Sequence, residues 1–318
     1  MTRPPDGGLL LVDKPVGCTS HDVVGRVRRI MATRRVGHAG TLDPMATGLL
    51  LVAVERSTKL LSHLVLTGKS YAATVRLGAT TVSDDVEGEV LTTADPAALA
   101  AVTDAAVTAA VAPLTGDILQ RPSSVSAIKV DGRRAYDLVR EGVEVDLPAR
   151  PVRVDRFEII GPVRRDPVGR WIDLDVEVDC SSGTYIRALA RDLGESLGVG
   201  AHLTRLRRTA VGPFTVDTAL DVFDGRPPAP RGERNPDPTD ELRTRAAGLL
   251  LPPEAVVRAV FPVRQADATE AGELAFGRGI KAGGDPATTA VLHDGRLMAL
   301  VRNRGVQARP ELVWAPAG

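Results

Sequence analysis

A chain of 318 residues, 43% hydrophobic and 25% charged, has the composition of a folded globular protein and room for about two domains, which excludes disorder as its main state. Its longest apolar run, residues 49–54, is too short to cross a bilayer, and the start MTRPPDGG lacks the apolar core of a signal peptide; a cytoplasmic chain without a membrane segment is expected. Forty basic residues balance forty acidic ones, yet residues 1–78 carry a net +6 and residues 79–120 a net −7. A polyanion partner requires a basic face and not a basic total, although such an imbalance by itself reads as solvated surface. Cys18 and Cys180 stand in no metal-ligand spacing, so neither a disulfide framework nor a cysteine-based metal site is expected.

In chain order, residues 8–12 (GLLLV) predict a buried strand that ends at Asp-Lys-Pro. Thr19 or Ser20 can cap a helix whose apolar positions are Val23, Val24, Val27, Ile30 and Met31. A glycine-rich loop over 37–48, a strand near 49–54 and a short helix near 57–65 follow. Tyr71, Ala73, Val75 and Leu77 alternate as in a half-buried strand. The alanine-rich residues 95–112 predict helix. Residues 171–180 alternate as a strand, and Tyr185, Ile186, Leu189, Ala190, Leu193 and Leu197 recur at helical spacing. Residues 224–240 hold five prolines and many charges without an apolar pattern, which predicts an exposed linker. Beyond it, glycine-rich turns and strand-like runs at 290–293 and 297–301 predict a small β-rich domain. The expected division is a catalytic domain over 1–223, a connection over 224–252 and a C-terminal domain over 253–318.

Three segments concentrate residues suited to chemistry. GHAGTLDPMATG (37–48) offers His38 and Asp43 among three glycines, although Asp-Pro alone is also an ordinary helix cap. KSYAATVRLG (69–78) puts Tyr71 on a strand, and CSSGTYIRALARDLG (180–194) places Tyr185 and Arg187 where a strand gives way to a helix. Taken with LLLVDKPVGCTSHDVV near the start, RPSSVSAIKVDGRRAYDLVREG at 121–142 and GAHLTRLRRTAVGPF at 200–214, the chain resembles the TruB type of bacterial pseudouridine synthase over about residues 8–223. Six motifs in order make the resemblance specific.

The resemblance implies an α+β fold: a pseudouridine synthase catalytic domain with a mixed central sheet flanked by helices, an inserted thumb-like segment, and a small PUA-like C-terminal domain. It implies isomerisation of uridine to pseudouridine at position 55 in the T-loop of tRNA, with no cofactor and no metal. By position, Asp43 takes the place of the aspartate nucleophile, Tyr71 that of the tyrosine packed on the target base, and Arg187 that of the arginine paired with the aspartate. His38 helps to hold the T-loop, and Tyr185 and Leu206 line the pocket. Cations that reach phosphates supply RNA affinity, and the expected contacts are Lys129, Arg133, Arg134, Arg205, Arg207 and Arg208. Lys14 is either a solvated turn residue or a partner of the active-site loops.

The reaction breaks a C1′–N1 bond and forms a C1′–C5 bond, with no redox step. The base must leave its stack, and aromatic side chains can offset that cost. Burial beneath a flipped base disfavours an ionised aspartate, and a nearby arginine opposes that effect; Arg187 is expected to keep Asp43 charged. The partner expected is the T-arm of tRNA, with no obligate protein partner and a monomeric chain. Two alternatives share these residues: a tRNA-folding chaperone in which catalysis is dispensable, and a guide-RNA-dependent pseudouridine synthase. A serine hydrolase built on residues 181–183 fails, because no G-x-S-x-G elbow is present.

Overall fold

The computed structural model describes residues 7–125, 129–130, 132–134, 141, 143, 145, 147–230 and 232–317. Its strands begin with β1 (Gly8–Lys14), β2 (Val36–Ala39), β3 (Thr47–Val54), β4 (Lys69–Leu77), β5 (Ala79–Thr81), β6 (Val90–Thr93) and β7 (Gly116–Gln120). They continue with β8 (Lys129–Val130), β9 (Arg133–Arg134), β10 (Arg150–Ile159), β11 (Arg164–Arg165), β12 (Ile172–Cys180), β13 (Ala201–Val211) and β14 (Phe214–Thr215). A C-terminal set comprises β15 (Val263–Gln265), β16 (Ile280–Lys281), β17 (Thr289–His293), β18 (Arg296–Arg304) and β19 (Gln307–Val313).

The main sheet runs β1-β3-β13-β4-β12-β10-β7, with β2 added to β3, β14 to β13 and β11 to β12. All its pairs are antiparallel except β3 with β13, where Thr47 and Gly48 lie beside Arg207 and Arg208. The expected mixed sheet is present. One face is covered by the helices Ser20–Ile30, Asp104–Val111, Ile186–Ser196 and Asp240–Gly248, which bury Val23, Val27, Val107, Leu189, Leu193 and Leu242 against it. The first of these helices starts as its sequence predicts. The Thr19 hydroxyl accepts from the Asp22 N–H at 3.1 Å and the Asp22 carboxylate accepts from the Thr19 N–H at 2.8 Å, a reciprocal cap.

The runs GLLLV and GLLLVAV are apolar at every position because β1 and β3 are covered on both faces. Leu10, Val12, Leu50, Val52 and Val54 face the helices. Leu9, Leu11, Leu49, Leu51 and Ala53 face Val256, Val257, Leu292, Leu297, Leu300 and Trp314 of the C-terminal unit. That unit is β-rich as expected, a five-stranded sheet ordered β15-β17-β18-β19-β16. Leu9 and Leu251 exchange backbone hydrogen bonds of 2.9 Å in both directions. Arg56 lies over the Trp314 ring and donates to its carbonyl. The proline-rich connection has no helix or strand before Asp240, but it is not simply exposed. Its Pro236 and Asn235 carbonyls accept from Arg26 and Arg29 of the first helix, because the nearly buried Arg26 guanidinium needs acceptors on each donor.

One expectation changes, and the helical reading of residues 95–112 holds with a break inside it. The glycine-rich loop is shorter than 37–48, because Val36–Ala39 pairs with β3 and only residues 40–46 remain outside strands. The alanine-rich stretch is two helices, Pro96–Ala100 and Asp104–Val111, because Thr103 caps the second by accepting from the Ala106 N–H.

Gly48 sits where β3 meets β13, at φ +100°, and a Cβ there would stand 2.2 Å from the Arg208 carbonyl oxygen. Gly48→Ala is therefore expected to lower stability by more than about 1 kcal/mol, read as a lower urea midpoint at unchanged slope.

Candidate active site

Loop 40–46, the start of β4, the middle of β13 and the first turn of the Ile186–Ser196 helix converge on one pocket. Its walls include Leu42, Asp43, Tyr71, Tyr185, Arg187 and Leu206. Five of the six expected site residues thus meet at one place. The sixth, His38, stands aside on β2, with its ring edge-to-face with that of His21 at 5.8 Å. Its Nδ1 is buried without a hydrogen-bond partner, and burial together with His21 and Arg208 lowers its pKa, so the ring is neutral at pH 7.

Arg187 is nearly buried and meets Asp43 with a planar fork: Nε lies 3.0 Å from Oδ2 and Nη2 lies 3.2 Å from Oδ1. Nη1 donates to the Ser83 carbonyl at 2.6 Å and Nη2 also donates to the Val125 carbonyl at 2.9 Å. Nε lies 3.5 Å from the buried Asp85 carboxylate. Asp85 is itself held by the Ser83 hydroxyl at 2.5 Å and the Glu87 N–H at 3.0 Å. Asp43 is the open end of this network, 35% exposed, so one guanidinium serves one buried and one accessible carboxylate.

Asp85 is a residue the sequence reading missed. Its signal was the Asp84-Asp85 pair inside a 42-residue stretch with no lysine or arginine of its own, which was read as solvated surface. Asp84 accepts from the Ser123 hydroxyl at 2.6 Å and faces Arg191 at 3.4 Å, and burial pushes its carboxyl pKa up.

The catalytic loop is pinned through its carbonyls by two buried cations. The Lys14 ammonium, fully buried, donates to the carbonyls of Ala46 at 2.6 Å, Pro15 at 2.9 Å and Pro44 at 3.2 Å. Of the two readings left open for Lys14, the structure supports the loop partner. Arg208 corrects an expectation: at 1% exposure it cannot reach an RNA phosphate. It donates instead to the carbonyls of Leu49 at 2.7 Å, Gly40 at 3.0 Å and Thr41 at 3.5 Å. It points inward because Leu206, two residues earlier on β13, does the same. Tyr71, opposite Arg208 on the neighbouring strand, is a neutral phenol, its pKa raised by burial.

The remaining cations divide. Arg207 forms a fork with Asp13, at 2.7 and 3.0 Å. Arg205 is exposed on β13. Arg133 is exposed and paired with Glu141. Lys129 and Arg134 face each other in the β8–β9 ladder, and their side chains lie outside the described residues. Among the described residues, no group of His, Cys, Asp and Glu is arranged to hold a metal ion, and no helix is long and apolar enough to cross a membrane.

Lys69 adds a pH dependence. It is buried, donates to the carbonyls of Thr67 at 2.8 Å and Val65 at 3.0 Å, and has its pKa pushed down to about 8 by burial and by Arg208. Between pH 8 and about 10.4 the unfolded chain binds more protons there than the folded one, so this residue's contribution to stability rises with pH across that window. Lys69→Met is expected to remove that rise, so its stability difference from the unaltered chain grows more negative as pH increases, measured by urea unfolding at pH 7.5, 8.5 and 9.5.

The TruB family pseudouridylate synthase N-terminal domain matches residues 28–186. The tRNA pseudouridylate synthase B C-terminal domain matches 187–224, and the tRNA pseudouridine synthase II C-terminal domain matches 261–315. The protein named tRNA pseudouridine synthase B in Nocardia farcinica is 53% identical over 99% of this chain and 95% of its own length. Its namesake in Corynebacterium diphtheriae is 49% identical over 98% and 97%. Among solved structures, the crystal structure of a Cbf5–Nop10–Gar1 complex contains a chain that superposes with a TM-score of 0.69 at 25% identity, covering 99% of this chain and 88% of that one. On the geometry and these matches together, the chain belongs to the TruB family of pseudouridine synthases.

Proposed function

We propose that this chain isomerises uridine to pseudouridine in the T-loop of tRNA, at position 55, with Asp43 as the nucleophile. The observation that carries the reading is the forked contact of Arg187 with an accessible Asp43 at the floor of a pocket walled by Tyr71, Tyr185 and Leu206. Relatives of about half identity over nearly the whole chain bear the name tRNA pseudouridine synthase B, which favours tRNA as the substrate and a chain that acts without a guide.

In this reading the target base leaves its stack and enters between Tyr71 and the apolar wall, whose stacking offsets part of the cost of flipping. Tyr71 is buried and stays protonated, so it offers a ring face and no charge. Arg187 holds the Asp43 carboxylate in one orientation while water is displaced, which keeps it a nucleophile. The uracil detaches from C1′, turns and rejoins through C5; the C5 proton is lost to solvent and N1 takes up one proton in its place. The atoms balance without an oxidant, reductant or metal.

RNA affinity in this reading comes from exposed cations, Arg205 and Arg133 among them, with Lys129, Arg134 and Arg207 as further contacts. Arg205→Ala is expected to weaken tRNA binding and to reduce the slope of log affinity against log salt by about 0.7–0.9. An unchanged slope removes Arg205 from the interface.

The direct test is tritium release from C5-labelled uridine in an unmodified tRNA transcript. Release by the unaltered chain is expected to vanish in Asp43→Asn and in a transcript whose T-loop uridine 55 is cytidine. Arg187→Lys is expected to lose about 10–100-fold in rate, because a point charge does not reproduce the fork and a charge-assisted contact contributes about 1.5–3 kcal/mol. Binding without release by the unaltered chain would instead assign it a role in tRNA folding.

A further inference from the structure

Gln120 ends β7 and lies opposite Arg150, the first residue of β10. It is fully buried and does not itself line the pocket. Its amide engages the backbone of Tyr185 in both directions. Oε1 accepts from the Tyr185 N–H at 2.8 Å, and Nε2 donates to the Tyr185 carbonyl at 3.0 Å.

That pairing constrains conformation. The N–H and C=O of one residue point to the same side only when the residue is extended, and Tyr185 has φ −101° and ψ +110°. The Gln120 amide therefore stands in for the peptide of a neighbouring strand. Were Tyr185 to join the helix that follows, the two groups would point opposite ways and both bonds would break. Tyr185 is the last residue before the Ile186–Ser196 helix and its own side chain makes no capping bond. The helix start, and with it the direction of Arg187 two residues on, is set by a side chain from a different strand. Arg150 adds a second grip: its guanidinium lies over the Tyr185 ring, 5.1 Å from the centroid, and its Nη2 donates to the Gly183 carbonyl at 2.8 Å.

We infer that Gln120 is a positioning residue for catalysis: by holding Tyr185 extended, it aims the Tyr185 ring at the pocket and delivers Arg187 to Asp43. This rests on the isomerisation proposed above. Gln120 touches neither the proposed base position nor Asp43, so its effect is on rate and not on RNA affinity.

The test compares the unaltered chain with Gln120→Met and Gln120→Glu, using single-turnover tritium release and tRNA binding measured separately. Gln120→Met leaves both Tyr185 backbone groups without their partner and is expected to slow release about 10–100-fold at unchanged tRNA affinity, the cost of a small misplacement of catalytic groups. Gln120→Glu supplies a readout that a general loss of stability would not move. Its ionised carboxylate cannot donate to the Tyr185 carbonyl, whereas its protonated form matches glutamine in shape and in donor–acceptor pattern. Its rate relative to the unaltered chain is expected to rise as pH falls, and this series decides the matter if Gln120→Met does not fold. A Gln120→Met rate equal to that of the unaltered chain, a Gln120→Glu ratio flat with pH, or equal losses of rate and affinity overturns the inference. Absence of release from the unaltered chain refutes the isomerisation itself, so the two failures are told apart.

Discussion

A guanidinium taken out of water must find an acceptor for each of its donors, and the site is organised around how Arg187 meets that demand. Its acceptors come from three segments distant in sequence: Asp43 in the loop after β2, Ser83 and Asp85 between β5 and β6, and Val125 beyond β7. Leaving a buried charge uncompensated costs about 3–5 kcal/mol, so these segments are held together by the arginine as much as they hold it. Two carboxylates against one guanidinium leave a surplus negative charge, and the more accessible carboxylate, Asp43, is the one that faces the pocket. The structural need of a buried guanidinium and an accessible carboxylate at the pocket are met by one cluster.

A second layer fixes the loop itself. Lys14 and Arg208 between them engage the carbonyls of Gly40, Thr41, Pro44, Ala46 and Leu49, which bracket Asp43 on both sides. A loop tethered at so many carbonyls enters the reaction already shaped, which spares it reorganisation when the charge distribution changes. It also alters the meaning of the basic N-terminal third. Lys14, Arg26 and Lys69 are buried and committed to backbone carbonyls, so the net charge of that region overstates the positive surface it shows to a nucleic acid.

The sequence was most legible where a structure is set by its own neighbours. β1, β12 and the Ile186–Ser196 helix follow from apolar patterning, and the Ser20–Ile30 helix from apolar period and a local cap. The proposed roles of Asp43, Tyr71 and Arg187 came from the resemblance of whole motifs; spacing alone would have left Asp43 a helix cap and Tyr71 a core residue. What escaped were partnerships over long separations. Asp85 lies about a hundred residues from Arg187, and nothing local distinguishes it from the other acids of its stretch. Arg208 was misjudged because its charge argued for solvent while its register with Leu206 argued for burial. Register prevailed because β3 and loop 40–46 present unpaired carbonyls at that point. Gln120 gave no signal at all, since a buried glutamine is defined by the peptide it pairs with.

The apolar seam between the two sheets has a consequence for the chain as it is made. One face of β1 and β3 is covered in part by Leu60, Leu64, Val211 and Phe214 and for the rest by residues from about 251 onward, so roughly 200 residues must emerge after β3 before that cover is complete. At translation speeds of about 5–20 residues per second, that interval is roughly 10–40 s. Through it, Leu9, Leu11, Leu49 and Leu51 form an incompletely covered leucine-rich strip on a sheet already paired along its backbone. The nascent chain is thus exposed to self-association at the side of the molecule away from its helices, and the C-terminal strands end that exposure as they arrive.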